Sequence, residues 1–414
     1  MKNRSAIAAA GKKFRTKNIS KRVREIVISP IKEMSILADQ VATSDGKYGT
    51  RNKKIISFGQ GIPYFDTPPL IKRAIKKALT ETETAKYTLE PGITELRELI
   101  ARDLARRKGI KNIKPKKEIM VSSGCQEAVA CALATVIDPG DHVLLPEPAF
   151  ASHIEQIIQW GGKPIFVPLD EKNGWRLDVK ECEKRLTKRT RAILFSNPSN
   201  PTGAVFGKTE MTALAKFAKK HDLIIITDET YDFLTYDGAK HFSPASIPSV
   251  RDRVILCGSF SKKYAMTGYR VGFAFADEGL IDHMLKVHDA LQICAPAISQ
   301  KGAIAALKNK QTSVGEFVKK LSKNREIMCR ELDKLSGFVE YQKPMGAYYI
   351  MVKILKPKID SFKLALKILR EARVITIPGA AFGPSGKEYL RFSFAGAPEE
   401  IKEGFRRLNK WFNK

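Results

Sequence analysis

The sequence predicts an α/β fold: a mostly parallel sheet flanked by helices, with a smaller α+β domain beside it. Three observations point there. Seven short runs rich in Val, Ile, Leu and Phe recur through the middle of the chain, at 118–121, 142–145, 164–167, 191–195, 223–227, 254–257 and 271–275. They lack polar alternation, as strands buried on both faces should. Helical patterns such as 126–137 and 209–221 separate several of them, and strand, helix, strand at this spacing winds a parallel sheet. From about residue 298 the pattern changes to a long charged helical stretch reaching Leu335, then short segments at 348–352 and 389–394.

Taken in order, residues 1–25 read as a basic, flexible tail. They carry Lys2, Arg4, Lys12, Lys13, Arg15, Lys17, Lys21, Arg22 and Arg24 and no acid before Glu25. A cleaved transit peptide is the competing reading; few serines and no long apolar core argue against a secretory signal. Ser29-Pro30 reads as the cap and first residue of a helix over 31–42. That helix is expected to join the C-terminal part, giving a small domain of residues 26–60 and 299–414 around a large domain of 61–298. There is no internal repeat and no low-complexity linker.

A chain of 414 residues suits one large domain plus a smaller one, and 43% apolar residues are ample for a core. No apolar stretch approaches the roughly 20 residues needed to cross a bilayer, which sets a membrane-spanning role aside. The formal charge of +28 would concentrate anionic substrates near the surface. Outside the tail the basic residues are scattered rather than gathered into one run, so a solvated surface is expected in place of a nucleic-acid partner. Six dispersed cysteines without a C-x-x-C pair suit a reducing, cytoplasmic setting. His283 and His288 lie five apart, poor for two ligands on one helical face, and no metal is expected.

Four constellations carry chemistry. Ser259-Phe260-Ser261-Lys262 and Ala265-Met266-Thr267-Gly268-Tyr269-Arg270 follow the run 254–257, so Lys262 would emerge at a strand end, where open α/β sheets bind ligands. A lysine desolvated near other cations can attack an aldehyde, and the serines with Arg270 suit a phosphate dianion. A solvated surface lysine is the bland alternative. Thr227-Asp228-Glu229-Thr230-Tyr231 ends the run 223–227: Asp228 could pair with a protonated pyridine nitrogen, with Tyr231 near a ring oxygen, or could simply cap a helix. Asn197-Pro198-Ser199-Asn200-Pro201-Thr202-Gly203 makes a rigid turn that presents the Asn200 amide to a ring oxygen or a carboxylate, or a turn and nothing more. Ser122-Ser123-Gly124-Cys125-Gln126 stands between a strand and a helix, whose first backbone N–H groups favour phosphate.

Together, S-x-S-K-x-x-A-M-T-G-x-R, N-P-x-N-P-T-G and D-E-x-Y resemble the class I/II pyridoxal-phosphate aminotransferases of fold type I, in the branch of the bacterial and archaeal aspartate-type enzymes. The resemblance runs from about Ile28 to Phe412. It implies pyridoxal 5'-phosphate as cofactor and a ping-pong transfer of an amino group from an L-amino acid to a 2-oxo acid. Lys262 matches the Schiff-base lysine, Asp228 the partner of the pyridine nitrogen, and Tyr231 with Asn200 the groups bonding the ring oxygen. Ser259, Ser261 and Arg270 match phosphate ligands, joined by backbone amides near Gly124, Cys125 and Gln126. Phe150 stands where an aromatic stacks on the ring. Arg391 matches the clamp on the substrate carboxylate, which Gly61 also touches. Tyr87 resembles the tyrosine that reaches the neighbouring subunit's phosphate, implying a homodimer with shared active sites.

One departure concerns the donor. Aspartate-specific members often place a lysine where this chain has the neutral Gln126, so aspartate and neutral or aromatic donors all stay open. A β-lyase on the same scaffold is the alternative activity. A transcription regulator with this fold would need a helix-turn-helix module, for which about 25 residues before the matched region are too few.

Overall fold

A computed structural model describes residues 19–26, 30–43, 54–308, 312–357 and 359–414. The expected tail falls mostly outside them, as does Ser29; within them, Ser20 caps a short helix, Lys21–Glu25. The helix that the Pro30 signal announces runs Pro30–Thr43.

The strands are, in chain order, β1 Ile56–Ser57, β2 Ile119–Ser122, β3 His142–Glu147, β4 Lys163–Pro168, β5 Thr190–Ser196 and β6 Ile224–Asp228. There follow β7 Val254–Ser259, β8 Gly272–Phe275, β9 Val339–Tyr341, β10 Tyr349–Ile354, β11 Val374–Ile375, β12 Ile377–Pro378 and β13 Tyr389–Ser393. Seven of them form one sheet in the order β2-β8-β7-β6-β5-β3-β4. All its pairings are parallel except those of β8, which runs against both neighbours.

The absence of alternation in the seven runs has a direct structural cause. Successive strand residues point to opposite faces, and here both faces are covered. Met120, Val143, Leu145, Ala192, Leu194, Ile226 and Ile255 belong to one apolar cluster. Their neighbours Val121, Leu144, Ile193, Phe195, Ile225 and Leu256 belong to the other. Helices Cys125–Val136 and Glu278–Gln292 contribute to the first cluster; Thr94–Lys108, Lys208–Lys220 and Ala297–Lys308 contribute to the second.

The parallel strands therefore end together. Ser122, Glu147, Ser196, Asp228 and Ser259 close β2, β3, β5, β6 and β7 along one edge, and antiparallel β8 starts there at Gly272. Every chemistry-bearing turn read from the sequence hangs from this edge.

A second, antiparallel sheet has the order β12-β13-β10-β9, and β1 pairs with β11 beside it. Helices Thr312–Asp333, Ser361–Ala372 and Pro398–Phe412 cover it. Phe58 sits between Phe392 and Phe405, with ring centroids 5.7 and 5.4 Å away. The Ser393 N–H donates to the Phe58 carbonyl at 2.8 Å. The helix Pro30–Thr43 packs on Ser361–Ala372, β11 and β12. The long charged stretch read from the sequence is two helices, Ala297–Lys308 and Thr312–Asp333.

Candidate active site

Between β7 and β8 the chain makes a tight loop. Ser259 Oγ accepts the Ser261 N–H at 3.1 Å, and the Ser261 carbonyl accepts the Met266 N–H at 2.9 Å. Ala265 and Arg270 take positive φ, 51° and 50°. This turns the Arg270 guanidinium onto the start of the helix Cys125–Val136, where Nη2 donates to the Ser123 carbonyl at 3.2 Å. Gly124 precedes that helix with φ 89°, and a Cβ there would collide with the guanidinium. A glycine is required twice over, by the backbone angle and by the close approach. Arg270, Ser259, Ser261 and the helix N-terminus at Cys125 and Gln126 thus converge on one cradle that suits a dianion.

Lys262 reaches the same cavity, and its Nζ donates to the Gly61 carbonyl at 2.7 Å. Burial, then Arg270 and Arg391, push its amine down to about 8 against the opposing pull of Asp228. A lysine so placed supplies neutral amine near neutral pH. Lys263 points away from the cavity, with its Nζ 3.5 Å from Asp103 Oδ2.

Asp228 closes β6. Its Oδ1 accepts the Thr230 N–H at 2.9 Å and the Cys125 thiol at 3.2 Å; Oδ2 lies 3.4 Å from His153 Nε2. Burial alone would lift its carboxyl, but His153 and Thr230 outweigh it and hold the group below the usual range. Residues 230–233 form a turn, so Asp228 caps no helix there. Tyr231 enters the cavity with its hydroxyl 2.8 Å from that of Tyr349. Burial, then Tyr348 and Tyr349, raise its phenol well above normal, and it stays a donor.

Across the cavity, β13 presents Arg391, which is 1% exposed. Its guanidinium packs 4.4 Å from the Tyr349 ring and 5.0 Å from Phe382. Nη1 donates to Asn200 Oδ1 at 3.0 Å and Nη2 to the Gly59 carbonyl at 2.5 Å, while Nε has no partner. A guanidinium has five donors, so capacity remains for a carboxylate. Gly61 leaves room for Tyr349, whose hydroxyl a Cβ would overlap. Phe150 lines the cavity with its ring edge-on to His153 at 5.3 Å.

The cavity measures about 370 Å³ and brings together Lys262, Asp228, Tyr231, Asn200, Ser259, Ser261, Arg270, Cys125, Gln126, Phe150, Gly61 and Arg391. Tyr87 stands apart from it, 77% exposed. His153, Tyr348 and Tyr349 were not singled out from the sequence. His153 lies three residues after Phe150, one helical turn, which is the only local sign that both face one site. Glu127, Cys131 and His288 bring three possible ligand atoms within 4.8 Å of one another, yet Glu127 and His288 already bond each other at 2.7 Å and join their two helices.

This arrangement has the parts that pyridoxal phosphate needs: a dianion cradle whose Arg270 a Cβ at Gly124 would displace, a low-pKa lysine, and an ionised buried carboxylate. Fold and cradle define a pyridoxal-phosphate enzyme of fold type I. The chain belongs to the class I and II aminotransferases, whose model matches residues 53–408. It is 38% identical to an aspartate aminotransferase of Pyrococcus abyssi, across 86% of this chain and 92% of that one. It is 37% identical to aromatic-amino-acid aminotransferase 2 of Thermococcus litoralis, across 86% and 91%. It is also similar to the solved alanine aminotransferase of Pyrococcus furiosus, with TM-score 0.88, 29% identity and coverage of 95% and 99%. The protein is a pyridoxal-phosphate-dependent aminotransferase that moves an amino group from an L-amino acid to a 2-oxo acid.

Proposed function

We propose that its donor is an L-amino acid with a neutral side chain, aromatic or aliphatic, in preference to aspartate. The cavity lining carries this reading. Ile31, Ile62 and Phe150 are apolar, and Gln60, Gln126 and Gln156 are neutral. Besides the groups of the cradle, Lys262, Asp228 and Arg391, the charges in the lining are Lys32 and Glu155. Burial lifts the Glu155 carboxyl, and Lys32, of opposite charge, opposes that shift only in part. Beside Lys32 the lining thus places the acid Glu155, which disfavours a distal carboxylate there. The names of the relatives span aspartate, aromatic and alanine donors, which leaves the lining to decide.

Pyridoxal phosphate, when bound, supplies the electron sink that allows a Cα–H bond to break. In our reading Lys262 anchors it, and the displaced amine then takes the Cα proton and returns it. Asp228, held ionised, keeps the pyridine nitrogen protonated. Tyr231 and Asn200 bond the ring oxygen, and Phe150 stacks on the ring. Ser259, Ser261, Arg270 and the backbone at Gly124, Cys125 and Gln126 hold the phosphate. Arg391 and the Gly61 backbone orient the substrate carboxylate. Tyr87 serves the phosphate of a second subunit, so we assign a homodimer with shared sites. We assign 61–298 to the large domain and 26–60 with 299–414 to the small one, with the helix Ala297–Lys308 crossing that boundary and packing on Pro69–Ala78 and Thr94–Lys108. A cytoplasmic setting is supported by the cysteines, all free.

The test is a screen of amino donors against pyruvate and 2-oxoglutarate with purified holoenzyme. Aromatic or aliphatic donors should exceed aspartate in kcat/KM, and Gln126→Lys should move the preference toward aspartate. A wild-type enzyme that prefers aspartate would overturn the donor assignment.

A further inference from the structure

Behind the cavity lies a buried cluster of charges that the reaction does not use. The two segments that carry Asp228 and Lys262 alternate between these two places. Asp228 and Lys262 face the cavity; the next residue of each, Glu229 and Lys263, faces the cluster. Lys108 ends the helix Thr94–Lys108, and its ammonium reaches Glu229 Oε2 at 2.6 Å and Asp232 Oδ2 at 2.5 Å with a side chain only 3% exposed. Glu229 Oε1 accepts the Ser243 hydroxyl at 2.6 Å, and His241 Nε2 lies 3.3 Å from Oε2. Arg107 bonds Asp232 at 3.0 Å and Asp103 at 2.8 Å, and Asp103 in turn meets Lys263.

We propose that Lys108 is a positioning residue for the cofactor site: by tying Glu229 to Asp232 it fixes where Asp228 and Tyr231 stand. Asp228 immediately precedes the clamped stretch and Tyr231 lies inside it, so neither can shift without moving a bonded carboxylate. Burial would raise the Glu229 carboxyl, but Lys108 and then His241 hold it at about 2. Removing one partner from a buried ion pair leaves an uncompensated charge that the chain must relieve by moving. Through Arg107, Asp103 and Lys263 the same cluster touches the segment of Lys262. It therefore grips both sides of the Lys262–Asp228 pair from behind.

The proposal rests on Lys262 and Asp228 forming the cofactor site, so Lys262→Ala is measured beside the clamp variants. In Lys108→Met holoenzyme, kcat should fall roughly 10- to 100-fold, the usual cost of misplacing a catalytic group by about an ångström. The donor KM should stay within about threefold, since Arg391 is untouched. The visible circular dichroism of the bound cofactor should weaken, and reconstitution of apoenzyme should show looser pyridoxal phosphate binding. Lys108→Arg should restore most of each reading. Wild-type kcat, dichroism and cofactor affinity in Lys108→Met would overturn the proposal, even if its melting temperature fell. Should that variant not fold, Glu229→Gln keeps the shape and the Ser243 contact while removing the charge that Lys108 grips. It should shift the same readings in the same direction, and wild-type values in it would overturn the clamp. An inactive Lys262→Ala beside a normal clamp variant sinks the clamp alone. An active Lys262→Ala sinks the site assignment and the clamp with it.

Discussion

Lys262 and Asp228 owe their properties to what surrounds them rather than to their residue types. With its amine at about 8, Lys262 is mostly ammonium at pH 7 and mostly neutral at pH 9. Only the neutral amine attacks an aldehyde, so capture of pyridoxal phosphate by apoenzyme should quicken roughly tenfold between pH 7 and 9. A rate that is flat or falls with pH, followed by visible absorbance, would remove the amine from that step. Asp228→Ala should still hold the cofactor through the phosphate cradle yet lose most turnover. Near-normal turnover would leave Asp228 a structural role through Thr230, Cys125 and His153. Lys262 and Asp228 were legible because each follows a buried run and belongs to a dense local motif. His153 was not, because a lone histidine in an apolar helix reads as core. Lys108 was hidden as the last member of Arg106-Arg107-Lys108, which looks like any basic helix end; only the fold brings Glu229 and Asp232 to it.

At the scale of elements, the glycine before the helix Cys125–Val136 should matter more than its size suggests. Gly124→Ala forces a Cβ into positive φ and against the Arg270 guanidinium. It should cost more than about 1 kcal/mol of stability and weaken cofactor binding, both readable by denaturation and reconstitution. Unchanged values would mean that Arg270 does not close the cradle there. On the second sheet, Phe405 of the helix Pro398–Phe412 packs against Phe58 and Phe392, and Phe405→Ala should cost about 3–5 kcal/mol. The seven strands were legible to within a few residues because burial on both faces removes polar alternation. The direction of β8 was not, since a strand covered on both faces has the same composition whichever way it runs. Its antiparallel course matters, because it delivers Arg270 to the edge where the parallel strands end.

For the whole molecule, the proposed homodimer turns on the exposed Tyr87, which we assign to the phosphate of a second subunit. Leu79 and Leu89 near it are also exposed, 70% and 67%, an apolar surface that a two-fold partner would cover. Mixing Tyr87→Phe chains with Lys262→Ala chains tests the shared site. In the mixed dimer the site that keeps Lys262 receives an intact Tyr87 from its partner, and its cofactor affinity should return toward wild type. No recovery, or a fully active monomer in sedimentation, would count against sharing. The fold class was readable from the alternation of runs and helices. The donor was not, because the lining residues Ile31, Lys32, Ile62 and Glu155 come from segments far apart in the chain and follow no motif.

Whether Lys262 carries the cofactor can be measured without relying on turnover. Holoenzyme is reduced with borohydride, which fixes pyridoxal phosphate to its lysine, and the digested chain is mapped by mass spectrometry. The added mass should fall on Lys262, whose amine opens into the cavity with Asp228, Arg270 and Arg391. A label on Lys263, or none on the peptide that holds both lysines, would contradict the account.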